Sequence, residues 1–149
     1  MIEFVLAACL YVTVPTPVEM TEYRECRETN YMVYFVKDWL PTIERYFTDK
    51  DVIRAAKVIY CESSGRPTVI GINKDGTHDV GLWQFNDNTW TWLKQKLGII
   101  EERTNPEVAT RYAAWLVYND GWHHWNSSKH CWKGTDNEML WSNTNSMQS

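Results

Sequence analysis

The chain has 149 residues and a net charge of −4, and 44% of it is hydrophobic. That length makes one domain with a sizeable core, so no second domain is needed. The acidic balance, with no Lys/Arg cluster to track phosphates, argues against nucleic acid as a partner and against finding a substrate by charge.

Residues 1–20 stand apart as an apolar N-terminal segment. The run from Phe4 to Val14 is closed by Pro15 and Pro17. It is too short for a bilayer-spanning helix, which needs ~20 apolar residues, so no stable membrane span is expected. Its length fits the apolar centre of an export signal, although Glu3 stands where a positive residue belongs and no small-x-small cleavage site stands out. The other reading is an ordinary buried strand or helix. Leu6-Ala7-Ala8-Cys9 looks like a lipobox, but it comes too early in the chain.

Residues 21–149 form the expected domain, with 133–149 as a polar tail. A polar stretch after Pro17 leads into Tyr31 to Phe47, whose apolar positions predict an amphipathic helix interrupted at Pro41. Thr48 and Asp51 have the spacing of a capping box with Asp in place of Glu. Val52, Ala55, Ala56 and Ile59 then make the buried stripe of a helix that ends near Glu62. Val69, Ile70 and Ile72, followed by Asn73-Lys74-Asp75-Gly76, predict a small antiparallel hairpin with Asp79 on its return arm. Asp87 or Asn88 caps a helix that runs through Leu97 and stops at Gly98. Asn105-Pro106-Glu107 starts another, with Val108, Tyr112, Trp115 and Leu116 facing inward and Gly121 at its end.

Two carboxylates in this frame have opposite settings. Glu62 follows Ala55, Ala56, Val58, Ile59, Tyr60 and Cys61, so its carboxyl emerges at the rim of a packed helix, where burial favours the protonated form. Asp79 lies among Asp75, Thr77 and His78, a polar stretch in which a carboxylate stays ionised. Cleavage of a glycosidic bond needs that division, because a poor leaving oxygen must receive a proton while positive charge grows on the sugar.

The order Glu62-Ser63, then Gly81-Leu82-Trp83-Gln84, then Val117-Tyr118-Asn119 resembles the lysozyme-like superfamily. The resemblance is greatest to single-domain lytic transglycosylases of the soluble type. Trp83 and Val117 depart from that family's Met and Ala, and both remain apolar. The resemblance implies an α+β, mainly α fold, in which a helical lobe and a small β-hairpin flank a sugar-binding cleft. It implies Glu62 as general acid, Ser63 as the residue that positions the acid or the substrate, and Gln84, Asn86, Tyr118 and Asn119 as contacts to N-acetylated sugars. Asn73 to Gly81 also resembles the c-type lysozyme segment that carries a second catalytic aspartate, which places Asp79 in that role. Lysozyme divides the work between two such carboxylates, one protonated and one ionised.

Nine tryptophans exceed what a core of this size demands and suit stacking on sugar faces. Trp90, Trp92, Trp122, Trp125 and Trp132 are the candidates. Trp90 and Trp115 also fit helical core positions, whereas Trp122 and Trp125, in a Gly- and His-rich segment, fit the cleft. Relatives in the resembled family often have a cysteine before the Glu and another near the C-terminus, which implies a Cys61–Cys131 disulfide and an oxidising compartment; free thiols are the alternative. Cys26 is left over if Cys9 is removed. No metal and no cofactor are expected, because the cysteines lack paired spacing and His123, His124 and His130 form no recognised ligand set.

The expected activity is cleavage of the β-1,4 bond between N-acetylmuramic acid and N-acetylglucosamine in peptidoglycan glycan strands. The resemblance favours a lytic transglycosylase that leaves 1,6-anhydro ends. A hydrolytic lysozyme using Glu62 and Asp79, a chitinase-like activity, and a non-catalytic glycan-binding or virion structural protein on the same fold are the alternatives. An exported or virion-associated location, within a phage particle or a secretion assembly, suits each of them.

Overall fold

The computed structural model describes residues 8–10 and 12–134. Residues 4–7 and 11 of the apolar run at 4–14, and the greater part of the polar tail, 135–149, lie outside the described residues.

The first helix, α1, spans Pro17–Phe35. The stretch expected to be a polar lead-in is therefore helical, and a division at residue 20 would fall inside a helix. Its start is well specified. Thr16 accepts the Glu19 N–H while the Glu19 carboxylate accepts the Thr16 N–H, both at 3.2 Å, and Pro17 sits where a missing N–H costs nothing. The helix buries only Cys26, Thr29 and Val33, a stripe too narrow to announce itself by periodicity.

A short 3-10 turn over Lys37–Trp39 separates α1 from α2, Leu40–Tyr46. Pro41 thus lies in the first turn of α2 and opens that helix instead of interrupting a longer one. The proposed capping box at Thr48 is also replaced. The Thr48 hydroxyl donates to the Asp51 carboxylate at 3.0 Å and caps no backbone N–H.

Helix α3, Val52–Ser63, is the centre of the fold. Ala55, Ala56, Val58 and Ile59 have no exposed surface, and α3 packs on α1, α2 and the short α6, Lys129–Trp132. Its two alanines permit that close approach of neighbouring helices. Three short strands follow, β1 Ile70–Ile72, β2 His78–Val80 and β3 Phe85–Asn86, as one antiparallel sheet in the order β1-β2-β3. The expected hairpin is present, with Gly71 opposite Asp79, and β3 adds an outer strand that sets Asn86 opposite Asp79.

Helix α4, Asp87–Leu97, is capped by Asn86 and ends at Gly98 in the left-handed conformation. Its cap falls one residue before the expected Asp87. Helix α5, Pro106–Asp120, starts at Asn105, whose side chain accepts the Glu107 and Val108 N–H groups. A 3-10 segment over Trp122–Ser128 joins it to α6.

The core centres on Trp83, which is fully buried, stacks on Phe47 at 5.6 Å and donates its Nε1–H to Thr110 at 3.0 Å. Two disulfides tie the periphery inward, Cys9–Cys26 and Cys61–Cys131. With Cys9 present, Cys26 is paired. The architecture is α+β, mainly α, with the sheet on one side of the helical lobe. Among the described residues no helix is long and apolar enough to cross a membrane.

Candidate active site

Glu62 lies in the last turn of α3, with its backbone on the buried helix and its carboxyl half-buried at the edge. The helix stops immediately afterwards, because Ser64 adopts the left-handed conformation at its C-cap. Ser63 is buried. Its hydroxyl lies 2.8 Å from the Leu82 carbonyl oxygen and 3.1 Å from that of Ile59, and it accepts the Gly65 N–H. Ser63 thereby locks the end of α3 to the Gly81-Leu82-Trp83-Gln84 loop.

The Glu62 carboxylate accepts a hydrogen bond from the Ser128 hydroxyl, which itself accepts the Trp132 indole N–H at 3.2 Å. Burial raises the pKa of Glu62. The Ser128 bond offsets part of that rise, and the charge of Asp79 adds to it. A carboxyl with these surroundings keeps its proton to higher pH than an exposed glutamate does.

Glu62 opens into a cavity of about 190 Å³. Asp79, Gln84 and Asn86 form its wall on the sheet side, with Phe85 and Thr89. The turn that follows α5 supplies His124, Trp125 and Ser127 on the other side. Asp79 accepts a hydrogen bond from the Asn86 amide at 2.8 Å. That amide also reaches the Thr77 hydroxyl at 3.0 Å, while the Asn86 carbonyl oxygen caps α4 through the Asn88 N–H. Asn86 thus positions Asp79 and starts a helix at once.

Gln84 has a left-handed backbone, φ 49°, an uncommon state for a side chain with a Cβ. Its amide nitrogen donates to the Val69 and Gly81 carbonyls at 3.1 and 2.9 Å, which turns Oε1 the other way. The loop leaves no alternative to glycine at 81. Its φ is +87°, and a Cβ there would stand 2.5 Å from the Arg103 carbonyl oxygen. Arg103 also donates to the Phe85 carbonyl at 2.8 Å and to the Asp87 carboxylate, whose pKa falls to about 2 chiefly because of that guanidinium. The return strand and the start of α4 are therefore fixed from behind.

The structure thus brings Glu62, Asp79, Gln84, Asn86 and Trp125 into one cavity. Tyr118 and Asn119, expected as sugar contacts, do not line it. The Tyr118 hydroxyl donates to Asp51 at 2.9 Å and accepts the Thr48 N–H at 2.8 Å, so it ties α5 to the turn before α3. The exposed Asn119 amide bonds back to the Trp115 carbonyl of its own helix at 2.8 Å. Trp122 stacks on Phe47 and lines a neighbouring cavity with Arg54 and Lys129. Of the other tryptophans, Trp90 and Trp132 are buried, and Trp92 lies beside Trp115 on the outer surface. Cys61 and Cys131 form the implied disulfide, which holds α6 beside the acid.

Sequence reasoning passed over Ser128 and His124. Ser128 reaches Glu62 from 66 positions away, so no local motif marks it. The signal that could have found it is the Cys61–Cys131 pairing, which carries position 128 toward position 62.

A half-buried acid and a second carboxylate share a cavity between a helical lobe and a three-stranded sheet, which defines a lysozyme-like domain. Residues 43–126, more than half of the chain, match the family model described as the transglycosylase SLT domain, and the chain belongs to that family. Lytic transglycosylase activity on peptidoglycan is accordingly its general activity class. The match ends two residues before Ser128. No curated protein and no solved structure gives a match.

Proposed function

We propose that this chain cleaves the β-1,4 bond between N-acetylmuramic acid and N-acetylglucosamine and leaves 1,6-anhydro ends. The observation that supports this most is Glu62 itself, a half-buried carboxyl with a raised pKa that opens on the cavity it shares with Asp79. Glu62 gives its proton to the glycosidic oxygen as the bond to the anomeric carbon breaks. Asp79, held by Asn86, faces the positive charge that develops on the sugar. The C6 hydroxyl of the muramic acid then attacks the anomeric carbon, and the Glu62 carboxylate takes its proton, which restores the acid. No cofactor enters these steps.

Asp79 in the same cavity favours a second reading, hydrolysis, in which water replaces the C6 hydroxyl as acceptor. Mass spectrometry of muropeptides released from purified peptidoglycan separates the two. The wild-type protein is expected to release 1,6-anhydro ends, and Glu62→Gln to lower the rate by at least about 10³-fold, near the upper range for loss of a general acid. Reducing ends would establish the hydrolase. Retained turnover in Glu62→Gln would overturn both readings, and release by neither protein would leave a glycan-binding module. The two disulfides support an exported or virion-associated setting, since such bonds persist in oxidising surroundings.

A further inference from the structure

The turn that forms one side of the cavity carries a second convergence of side chains, apart from the carboxylate pair. Asp120 is the last residue of α5, and His123 and His124 follow it across Gly121. The Nε2 atoms of both histidines approach the same oxygen, Asp120 Oδ2, at 2.9 and 2.8 Å. One ligand atom from each of the three residues lies within 4.8 Å of the others. The two imidazoles stand side by side, 4.3 Å apart at 31°, so both rings present the same edge.

An ordinary ion pair needs one imidazole on a carboxylate. Here two imidazoles and a carboxylate meet at one point, and that donor set suits Zn²⁺, with ligands at roughly 2.0–2.2 Å. At tetrahedral angles such ligands stand about 3.3 Å apart, within reach of the observed spacing by small side-chain rotations. The Asp120 and His123 side chains are 52% and 55% exposed, so an ion can enter and a water can take the fourth position. Histidine spacing alone gives no ligand set in this chain. The fold supplies the third ligand by ending α5 beside the two rings.

We propose that Asp120, His123 and His124 bind one Zn²⁺ ion. Because His124 also lines the Glu62 cavity, the ion would brace the turn that carries Trp125 and Ser128. This inference is independent of which bond the enzyme cuts, and its test requires no turnover. The probe is ZnCl₂, titrated calorimetrically into the full chain, with thermal melts at each metal concentration. The expected result is saturable one-to-one binding and a rise in Tm that grows with metal concentration. Both should weaken at least roughly tenfold in His123→Ala and in Asp120→Asn, each an exposed position that leaves the core untouched. His78→Ala, which removes the imidazole paired with Asp87, should bind as the wild type does. Absence of saturable binding, binding unchanged in both cluster variants, or binding lost only in His78→Ala would each overturn the site.

Discussion

Glu62 is subject to two opposed influences, and Ser128 sets their balance. Burial keeps the proton on the carboxyl, whereas a hydroxyl donating to it favours the ionised form. Removing the hydroxyl in Ser128→Ala should raise the Glu62 pKa further. Because the proposed mechanism needs Glu62 protonated, the alkaline limb of the kcat/KM profile should then move to higher pH. Ser128→Thr, which keeps the hydroxyl, should return the limb toward its original place. A lower rate with an unmoved limb would make Ser128 a packing residue only. Asn86 carries a similar double load on the other wall, and truncating it would disturb Asp79 and the start of α4 together.

Among the elements, α6 and the turn before it depend on the Cys61–Cys131 bond for their place against α3. The bond closes a sequence separation of 70, worth about 4 kcal/mol in the chain-entropy model, against about 3 kcal/mol for the 17 of Cys9–Cys26. Replacing either pair by serines should therefore lower Tm by comparable amounts. Only loss of the Cys61–Cys131 pair should also lower kcat at temperatures where the fold persists, because only that pair holds Ser128 to the acid. Melting curves and turnover measured on the two double variants decide this; equal kcat in both would show that packing alone places the turn. Legibility at this scale followed the strength of local signals. The stripe of α3 and the Asn73–Gly76 turn placed Glu62 and Asp79 correctly on their elements. Helix α1 was missed because three buried positions make no visible period, although Thr16, Pro17 and Glu19 spell its start.

For the whole molecule, the acid is a cost to folding. A carboxyl whose folded pKa is raised binds more protons folded than unfolded, so stability falls as pH rises from its ordinary value of 4.5 through the folded value. Glu62→Gln removes that loss. Its Tm should exceed the wild-type value at pH 7, with the gap closing as pH falls below 4.5, and a gap that is independent of pH would point to packing instead. The lysozyme-like plan was legible because its motifs occur in order along the chain. What joins its elements was not: the Ser63 bond to Leu82, the Tyr118 bond to Asp51 and the Ser128 bond to Glu62 each join distant positions, and motif order carries no record of which side chain faces which.

The same long-range packing has an optical consequence. The Trp125 ring lies 5.2 Å from that of Trp83 and 6.2 Å from that of Trp122, which is 6.2 Å from Trp132. Excitation absorbed anywhere along this row of indoles is shared by all of them, and one of them lines the cavity beside Glu62. A glycan filling the cavity that Trp125 lines should therefore alter the emission of this row, and a fluorescence titration would then report cleft occupancy without a label.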